Sequence, residues 1–388
     1  MYLRLLKMDL PPRQSAFLWG ARKTGKSTYL KMSFPDAFYY DLLKSELHFQ
    51  FMKEPHLFRQ EIANIESNKP NPLIIVDEVQ KVPALLDNIH WMIENTTAQF
   101  ILCGSSARKL KKEGVNMLGG RAWRFHFFPL VYPELPKFDL LHILNHGTIP
   151  THYDSKSITR VMTSYVDDYL SQEIQAESLV RNLPAFSRFL DALRFTAGEM
   201  VNYTTISRQA GVDAKTVREY FTILVDTLIG YFLYPYRKKV NRDIIKDTPK
   251  FYLFDVGLST HLKRLTIKDL RGPEAGHALE NYIYQELYAY VRYKELRTDI
   301  TYWRTKSGHE VDFILGDGEV ALEVKVSSDI APSDLKGLKA FMEEHPGARA
   351  IVVANVDRPR LMSADHGSIT ILPIETFLKK LWAGDIIG

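Results

Sequence analysis

The sequence of 388 residues contains a single cysteine, Cys103, and no apolar stretch that approaches the length of a membrane span. One cysteine excludes an internal disulfide and any zinc site built on several thiolates. The scattered histidines show no HExxH spacing, which excludes that class of metalloprotease site. Residues 1–7 are too few and too charged for the apolar core of a signal peptide. We therefore expect a cytoplasmic protein with no membrane contact.

Charge and hydrophobicity are both ordinary for a globular protein. Hydrophobic residues make up 45% of the chain and charged residues 25%, with a formal net charge of +4. A charge this mild permits nucleic-acid contact without demanding it, so any partner has to be argued from local patches. No internal repeat or low-complexity tract is evident, and the chain is too long for one typical core. The length predicts two or three domains.

A glycine-containing turn near the N-terminus follows the pattern GxxxxGK[S/T]. It comes after an apolar run of strand length, residues 15–19, and before a helix-compatible segment, residues 28–32. Strand, loop and helix in this order favour a P-loop, whose backbone amides and helix N-terminus hold nucleotide phosphates. The alternative is an ordinary glycine turn that carries surface lysines. The predicted nucleotide-binding residues are Gly20, Ala21, Arg22, Lys23, Thr24, Gly25, Lys26, Ser27 and Thr28.

Within this loop two side chains have distinct expected roles. We expect Lys26 to reach the β and γ phosphates and Ser27 to bind Mg²⁺. Both roles require an acidic partner at the end of a neighbouring strand.

Such a partner follows residues 73–76, which are consecutive aliphatic residues that end at Asp77 and Glu78. An apolar run without polar residues fits a strand that is buried on both faces of a parallel sheet. We expect Asp77 to coordinate Mg²⁺ and Glu78 to orient and deprotonate the attacking water. The adjacent glutamate favours hydrolysis over mere binding. The alternative is a pair of exposed loop acids after a core strand.

Later loops supply further candidates for the same site. Ser105 follows the strand-like segment 99–103 and is predicted to contact the nucleotide, although turn chemistry alone also selects a Gly-Ser-Ser sequence. Arg121 follows a pair of glycines and is a candidate catalytic arginine finger that stabilises the transferring phosphoryl group. Arg124 and Arg108 are its rivals, and each could instead be a solvated charge.

Several of these segments together resemble prokaryotic AAA-type ATPases, more narrowly the group with a C-terminal domain of uncharacterised function. The resemblance rests on the P-loop, residues 75–80, residues 104–108, residues 119–121 and residues 128–130. It covers nearly the whole chain and implies an ASCE-type α/β core with ATP as the nucleotide. A homo-oligomer, a ring included, is compatible with it. Whether an arginine acts within one chain or across a subunit boundary stays open.

The middle of the chain has helical periodicity, and residues 203–221 resemble a helix-turn-helix. We expect Thr204 or Thr205 to cap the first helix, Gly211 to make the turn and Asp213 to cap the second helix. Residues 228–235 would then form the strand of a wing. The candidate DNA contacts are Lys215, Thr216 and Arg218 on the second helix, with Arg237, Lys238, Lys239 and Arg242 beyond the strand. The alternative is a lid or packing module without DNA contact.

Near the C-terminus, residues 310–315 and 320–325 flank a glycine-containing turn, which predicts a β-hairpin. Glu323 and Lys325 are two residues apart and therefore face the same side of their strand. The hairpin can bring Asp312 beside them.

Two carboxylates in this place could bind Mg²⁺ while Lys325 steadies a water molecule or a scissile phosphate. Glu280, from a helix that is predicted to begin at residue 278, could complete the metal shell.

This arrangement resembles the PD-(D/E)xK nuclease superfamily, with Asp312, Glu323 and Lys325 in its motif and Glu280 as its helical acid. Val311 stands where that motif has proline, a departure that leaves the metal ligands untouched. The resemblance implies metal-dependent cleavage of DNA. The alternative treats the three motif residues as exposed positions on an ordinary hairpin.

These patterns predict an α/β chain with a P-loop ATPase domain of parallel sheet over residues 1–150. A helical, winged-helix domain would follow over residues 151–265, and an α/β restriction-endonuclease-like domain over residues 266–388. We expect Mg²⁺-dependent ATP hydrolysis to control a DNA-binding, nuclease-like module. The rival hypothesis is an ATP-dependent switch whose C-terminal domain is a degenerate scaffold for a protein partner.

Overall fold

The computed structural model describes residues 2–106, 118–170, 182–194, 196 and 198–388, and for residues 168–170 it describes the backbone alone. Its contacts divide into two compact units. The N-terminal unit comprises Arg4–Pro129 and Ile223–Ile229. The C-terminal unit comprises the remaining described residues.

The N-terminal unit is built on a five-stranded sheet in which all neighbouring strands are parallel. Its strands are β1 (Ser15–Trp19), β2 (Phe38–Asp41), β3 (Leu73–Asp77), β4 (Gln99–Gly104) and β5 (Ala122–His126), in the order β2-β3-β4-β1-β5. Its helices are α1 (Lys26–Ser33), α2 (Ser45–Lys53), α3 (His56–Asn68) and α4 (Leu85–Asn95). The prediction of an α/β core with a parallel sheet is confirmed.

The residue pairing between β1, β4 and β3 brings the ends of these central strands together. Trp19 of β1 is paired with Gly104 of β4, and Cys103 of β4 is paired with Asp77 of β3. The aliphatic residues of these strands are buried, as expected for a parallel sheet covered on both faces. The carboxyl ends of β1, β3 and β4 therefore meet at one edge of the sheet, where the loops after them can share a site.

The C-terminal unit contains a mixed sheet of eight strands in the order β12-β13-β11-β10-β9-β8-β6-β7. They are β6 (Gly230–Pro235), β7 (Lys250–Leu253), β8 (Ile300–Arg304), β9 (Glu310–Leu315), β10 (Val320–Lys325), β11 (Arg349–Ala354), β12 (Arg360–Ala364) and β13 (Gly367–Pro373). Strand β10 pairs antiparallel with β9 and parallel with β11. The predicted β-hairpin is confirmed, since β9 and β10 have the predicted bounds.

Ten α-helices lie wholly or partly in the described part of this unit. They are α5 (Leu140–His146), α6 (Pro150–Tyr153), α7 (Ile158–Ser164), α8 (Leu183–Leu193), α9 (Tyr203–Ala210), α10 (Ala214–Asp226), α11 (Val256–Leu262), α12 (Gly272–Tyr293), α13 (Lys336–Glu344) and α14 (Ile374–Ala383). The long helix α12 packs against β7 and β10, while α13 packs against β9 and β10. Strand β10 is therefore buried along nearly its whole length.

Helices α9 and α10 have the predicted helix-turn-helix spacing. Gly211 ends α9 in the left-handed region at φ 69°, and Asp213 accepts a hydrogen bond from the Thr216 amide at 2.9 Å, as expected. The expected cap of the first helix is wrong. Asn202 caps α9 by accepting a hydrogen bond from the Thr205 amide at 3.0 Å. Asparagine caps as well as threonine does, and the helix simply begins earlier.

Strand β6 occupies most of the segment that was expected to form a wing. It pairs antiparallel with β7 and parallel with β8, so it belongs to the eight-stranded sheet. A separate winged-helix domain therefore stays a prediction.

Among the helices that the structure describes, none combines the length and the apolar character that crossing a membrane requires.

Candidate functional site

The loop between β1 and α1 has the geometry expected of a P-loop. Gly25 adopts a left-handed conformation at φ 95°, which favours glycine. Lys26 opens α1, and its Nζ donates hydrogen bonds to the carbonyl oxygens of Gly20 at 2.8 Å and Ala21 at 3.0 Å. The hydroxyl of Thr24 donates to the Ala21 carbonyl at 2.8 Å. The ammonium group thus lies within the curl of the loop, where phosphate oxygens could replace the carbonyls.

Gly20 allows the start of the P-loop to lie close to the backbone at Phe127. A Cβ at this position would lie 2.3 Å from the carbonyl oxygen of Phe127. Arg4 supports the same region by donating hydrogen bonds to the carbonyl oxygens of Thr24 at 2.7 Å and Phe128 at 2.6 Å. The sequence analysis missed Arg4, because no local pattern links an N-terminal arginine to the loop.

The side chains expected to hold Mg²⁺ are in direct contact. Ser27 donates a hydrogen bond to Oδ2 of Asp77 at 2.6 Å, and Asp77 is 2% exposed. The hydroxyl of Tyr39, from β2, donates to the same oxygen, and burial together with the Asp77 charge raises the pKa of Tyr39. A serine hydroxyl and a carboxylate are hard oxygen ligands, which fit Mg²⁺. Tyr39 was not predicted.

Glu78 stands in an uncommon backbone conformation for a non-glycine residue, with φ 58° and ψ 43°. Its Oε2 accepts hydrogen bonds from Nε2 of Gln80 and from Oγ of Ser105, the latter at 3.3 Å. Gln80 Nε2 also lies 3.1 Å from Ser105 Oγ. A Cβ on Gly104 would lie 2.5 Å from Oε1 of Gln80, so glycine is what leaves room for this contact. Glu78 and Ser105 are in contact, and Gln80, which joins them, is the residue that the sequence analysis missed.

Arg121 is not brought to the P-loop of its own chain. It precedes β5, whose first residue, Ala122, is paired with Ser15 at the start of β1. The P-loop follows the other end of β1, so Arg121 lies at the opposite edge of the sheet, where it pairs with Glu94 of α4. An arginine-finger role for Arg121 would therefore require a second copy of the chain, and it stays a prediction.

The two rival arginines also stay predictions. Arg124 is exposed on β5, and Arg108 lies outside the described residues.

In the C-terminal unit, the motif residues of the hairpin form a buried charged cluster. Lys325 Nζ lies 2.6 Å from Oε1 of Glu323, and the Val324 amide donates to Oδ2 of Asp312 at 2.8 Å. Burial and the neighbouring charge of Glu323 raise the pKa of Asp312 well above its usual range. Burial also raises the pKa of Glu323 to about 7, although Lys325 opposes this shift. The alternative of exposed hairpin residues is wrong, because Glu323 is 7% exposed.

Glu280 joins this cluster through a lysine that the sequence analysis missed. Lys250 Nζ lies 3.0 Å from Oε1 of Glu280 and 2.8 Å from Oε1 of Glu310, and the Tyr252 hydroxyl donates to Glu280. Burial lowers the pKa of Lys250, but Glu280 and the other acids outweigh burial and hold this pKa well above its usual range. Burial raises the pKa of Glu280, but Lys250 and Tyr252 outweigh it, so this pKa is lowered.

The metal-binding role predicted for this cluster has no support from ligand geometry. Within the described ranges, no group of three or more His, Cys, Asp and Glu side chains is arranged to hold a metal ion. Asp312 and Glu323 accept hydrogen bonds from the protein, and Glu280 accepts them from Lys250 and Tyr252. Metal binding by Glu280, Asp312 and Glu323 stays a prediction.

The candidate DNA contacts are mostly engaged in contacts within the chain. The Thr216 hydroxyl donates to Asp213 at 2.9 Å, and the guanidinium of Arg218 lies 4.8 Å from the ring centre of Tyr203. Lys215 and Arg237 are exposed. The ion pairs of the remaining basic residues are Lys238 with Asp317 at 3.2 Å, Lys239 with Asp243 at 2.5 Å, and Arg242 with Glu344 at 2.9 Å.

Comparison with protein families finds a match for most of the N-terminal unit. Residues 12–135 match the model of the AAA domain family, and they contain the P-loop, Asp77 and Glu78. This part of the chain is therefore similar to AAA domains. The rest of the chain matches two models described only as domains of unknown function, DUF8612 over residues 137–269 and DUF4143 over residues 275–377. The AAA domain is therefore the part of the chain whose family carries a known chemistry.

Among solved structures, the Orc1 protein of Aeropyrum pernix in complex with DNA is similar to the chain at 11% identity. The similarity covers 65% of this chain and 86% of that one, with a TM-score of 0.25. A TM-score this low leaves the fold of the AAA domain to be judged from its own strand order. No curated protein matches the chain.

Proposed function

We propose that this chain is a cytoplasmic, Mg²⁺-dependent ATPase whose nucleotide state controls the activity of its C-terminal unit. The observation that carries the ATPase part is the convergence of Lys26, Ser27, Asp77 and Glu78 at one edge of the parallel sheet of an AAA domain. Binding alone would require the first three groups. A buried glutamate beside them favours hydrolysis.

Each residue of the AAA domain has a separate role in this proposal. Lys26 would hold the β and γ phosphates, while Ser27 and Asp77 would hold Mg²⁺, which neutralises phosphate charge when it is bound. Glu78 would orient the attacking water and accept its proton. Ser105 touches Glu78 and would contact the γ-phosphate side of the nucleotide.

Nucleotide binding and steady-state hydrolysis by purified variants test the proposal. We expect Lys26→Ala to abolish ATP binding. We expect Glu78→Gln to keep ATP binding and to lower kcat by about 10²- to 10⁴-fold, the usual contribution of a positioned base. The matched control is Glu46→Gln, which changes an exposed glutamate of the same unit and should leave both quantities unchanged. Hydrolysis that persists in Glu78→Gln would remove Glu78 as the base.

A second activity is favoured by the buried cluster of the C-terminal unit. We propose that residues 266–388 form a nuclease-like domain in which Asp312, Glu323 and Lys325, together with Glu280, act on DNA. Buried carboxylates are costly for stability, and their concentration beside a lysine is more typical of a functional site than of a structural core. Residues 151–265 would then contribute DNA contacts.

A cavity of about 500 Å³ is lined in part by α12, the helix that carries Glu280. Its charged or ionisable lining residues are Arg194, Glu199, Lys263, Glu274 and His277. His277 precedes Glu280 on the same helix, and its Nε2 lies 3.3 Å from Oε1 of Glu199. The lining therefore mixes acidic and basic side chains.

Cleavage of linear and supercoiled DNA in Mg²⁺ tests this second activity. Wild type should cleave, whereas Asp312→Ala and Lys325→Ala should each lower the rate by about 10²-fold or more. Asp317→Ala, in the exposed turn of the same hairpin, is the matched control. Cleavage that neither Asp312→Ala nor Lys325→Ala affects would sink the assignment. No cleavage by wild type would favour the rival, a C-terminal scaffold that binds a protein partner.

A further inference from the structure

Lys250 is a buried cation at the centre of the carboxylate cluster in the C-terminal unit. It is the first residue of β7 and is 4% exposed. Its ammonium group lies between Glu280 of α12, at 3.0 Å, and Glu310 of β9, at 2.8 Å. An isolated ammonium is strongly disfavoured in such a place, so these two carboxylates are what keep it there.

The remaining acids of the cluster are less well compensated. Oε1 of Glu323 accepts from Lys325 at 2.6 Å, while Oε2 of Glu323 is buried and has no hydrogen-bond partner among the described residues. Asp312 lies close enough to Glu323 for the two charges to act on each other. A buried carboxylate oxygen without a donor, next to a second carboxylate, is a group that readily takes a cation.

The cluster combines acidic and basic side chains at short range. The acids are Glu280, Glu310, Asp312 and Glu323, and the bases paired with them include Lys250, Arg304 and Lys325. A divalent cation that binds here would need several of these carboxylates. Lys250 already occupies Glu280, which is one of them.

We infer that Lys250 is an internal cation that competes with a divalent metal ion for the carboxylates of this site. The inference rests on the proposed function only in taking Glu280, Asp312 and Glu323 as the metal-binding carboxylates. While the ammonium remains on Glu280, a metal ion either binds without that carboxylate or displaces the lysine. The chain in this conformation therefore binds divalent cations weakly, and removal of the Lys250 charge strengthens their binding.

Titration calorimetry with Mn²⁺ tests the inference on the full chain. All proteins carry Asp77→Asn, so that the P-loop site contributes little to the signal. We expect Lys250→Met, which keeps the length of the side chain and removes its charge, to bind Mn²⁺ about tenfold or more tightly than the parent, since a competing charge is gone. Adding Glu280→Gln to Lys250→Met should reverse this gain.

Thermal unfolding covers the case in which Lys250→Met is too unstable for calorimetry. Mn²⁺ should then raise the Tm of Lys250→Met in a concentration-dependent way and leave the parent almost unchanged. Lys294→Met, which removes an exposed lysine of the same unit, is the matched control and should behave as the parent does.

Each measurement has a result that would overturn the inference. In calorimetry, it is an equal Mn²⁺ affinity of the parent and of Lys250→Met. In thermal unfolding, it is a Tm of Lys250→Met that does not rise with the Mn²⁺ concentration. The cleavage assay fails independently: tighter Mn²⁺ binding by Lys250→Met, together with no cleavage of DNA by wild type, would refute the nuclease-like activity and leave the role of Lys250 intact.

Discussion

At the scale of single residues, Gln80 has a specific role in the AAA domain. Its amide bridges Oε2 of Glu78 and Oγ of Ser105, and Gly104 provides the room for it. Glu78 also needs support because its backbone conformation is uncommon. We therefore expect Gln80 to be a positioning residue, which orients the proposed base Glu78.

We predict that Gln80→Leu lowers kcat for ATP by about 10- to 100-fold, since part of the contribution of Glu78 depends on its orientation. The nucleotide Kd should change little, because Lys26 and Ser27 are untouched. Measuring Kd and kcat separately distinguishes positioning from a general loss of folding. An unchanged kcat, or a parallel loss of ATP binding, would contradict this role.

The residues that were missed share one property. Each of them contacts a residue that is distant in the chain or lies outside its own motif. These residues are Gln80, Tyr39, Arg4 and Lys250. Motif spacing predicted the residues that we propose to contact phosphate and metal, because that chemistry demands particular residue types at particular intervals. The partners that orient them depend on tertiary packing, which no local interval encodes.

At the scale of elements, prediction succeeded where the local pattern determines both structure and partner. Strands β9 and β10 alternate around a glycine turn, so their pairing follows from their own sequence. Strand β6 was predicted from its apolar character, but its pairing with β8 depends on a segment far along the chain. Strand β12 was not predicted, because it is mostly exposed and owes its conformation to pairing with β13.

At the scale of the whole molecule, Glu286 makes stability depend on pH. This buried residue of α12 accepts hydrogen bonds from the Tyr132 amide at 3.0 Å and from Nε1 of Trp382 at 2.7 Å. Burial raises its pKa from 4.5 to about 7. Between pH 4.5 and about pH 7, Glu286 is therefore protonated in the folded state and ionised in the unfolded chain. The stability that this group provides is therefore lost as the pH rises, at up to about 1.4 kcal/mol per pH unit.

We predict that Glu286→Gln weakens the pH dependence of the free energy of unfolding between about pH 5 and pH 7, because it removes this proton from the balance. Urea unfolding of both proteins at the two pH values measures the difference. Glu274→Gln, an exposed carboxylate change on the same helix, should keep the wild-type dependence. An identical pH dependence in wild type and Glu286→Gln would show that Glu286 titrates in the folded state as it does when unfolded.

The position of Arg121 at the far edge of the sheet has a consequence for counting active sites. If this arginine completes the site of a neighbouring copy, each chain offers a group that it cannot use itself, and the contact is head-to-tail. An open pair of chains would then contain one complete site and one incomplete site. A closed ring would contain as many complete sites as chains. Ring closure alone would therefore raise the ATP turnover per chain above that of an open assembly with the same number of chains.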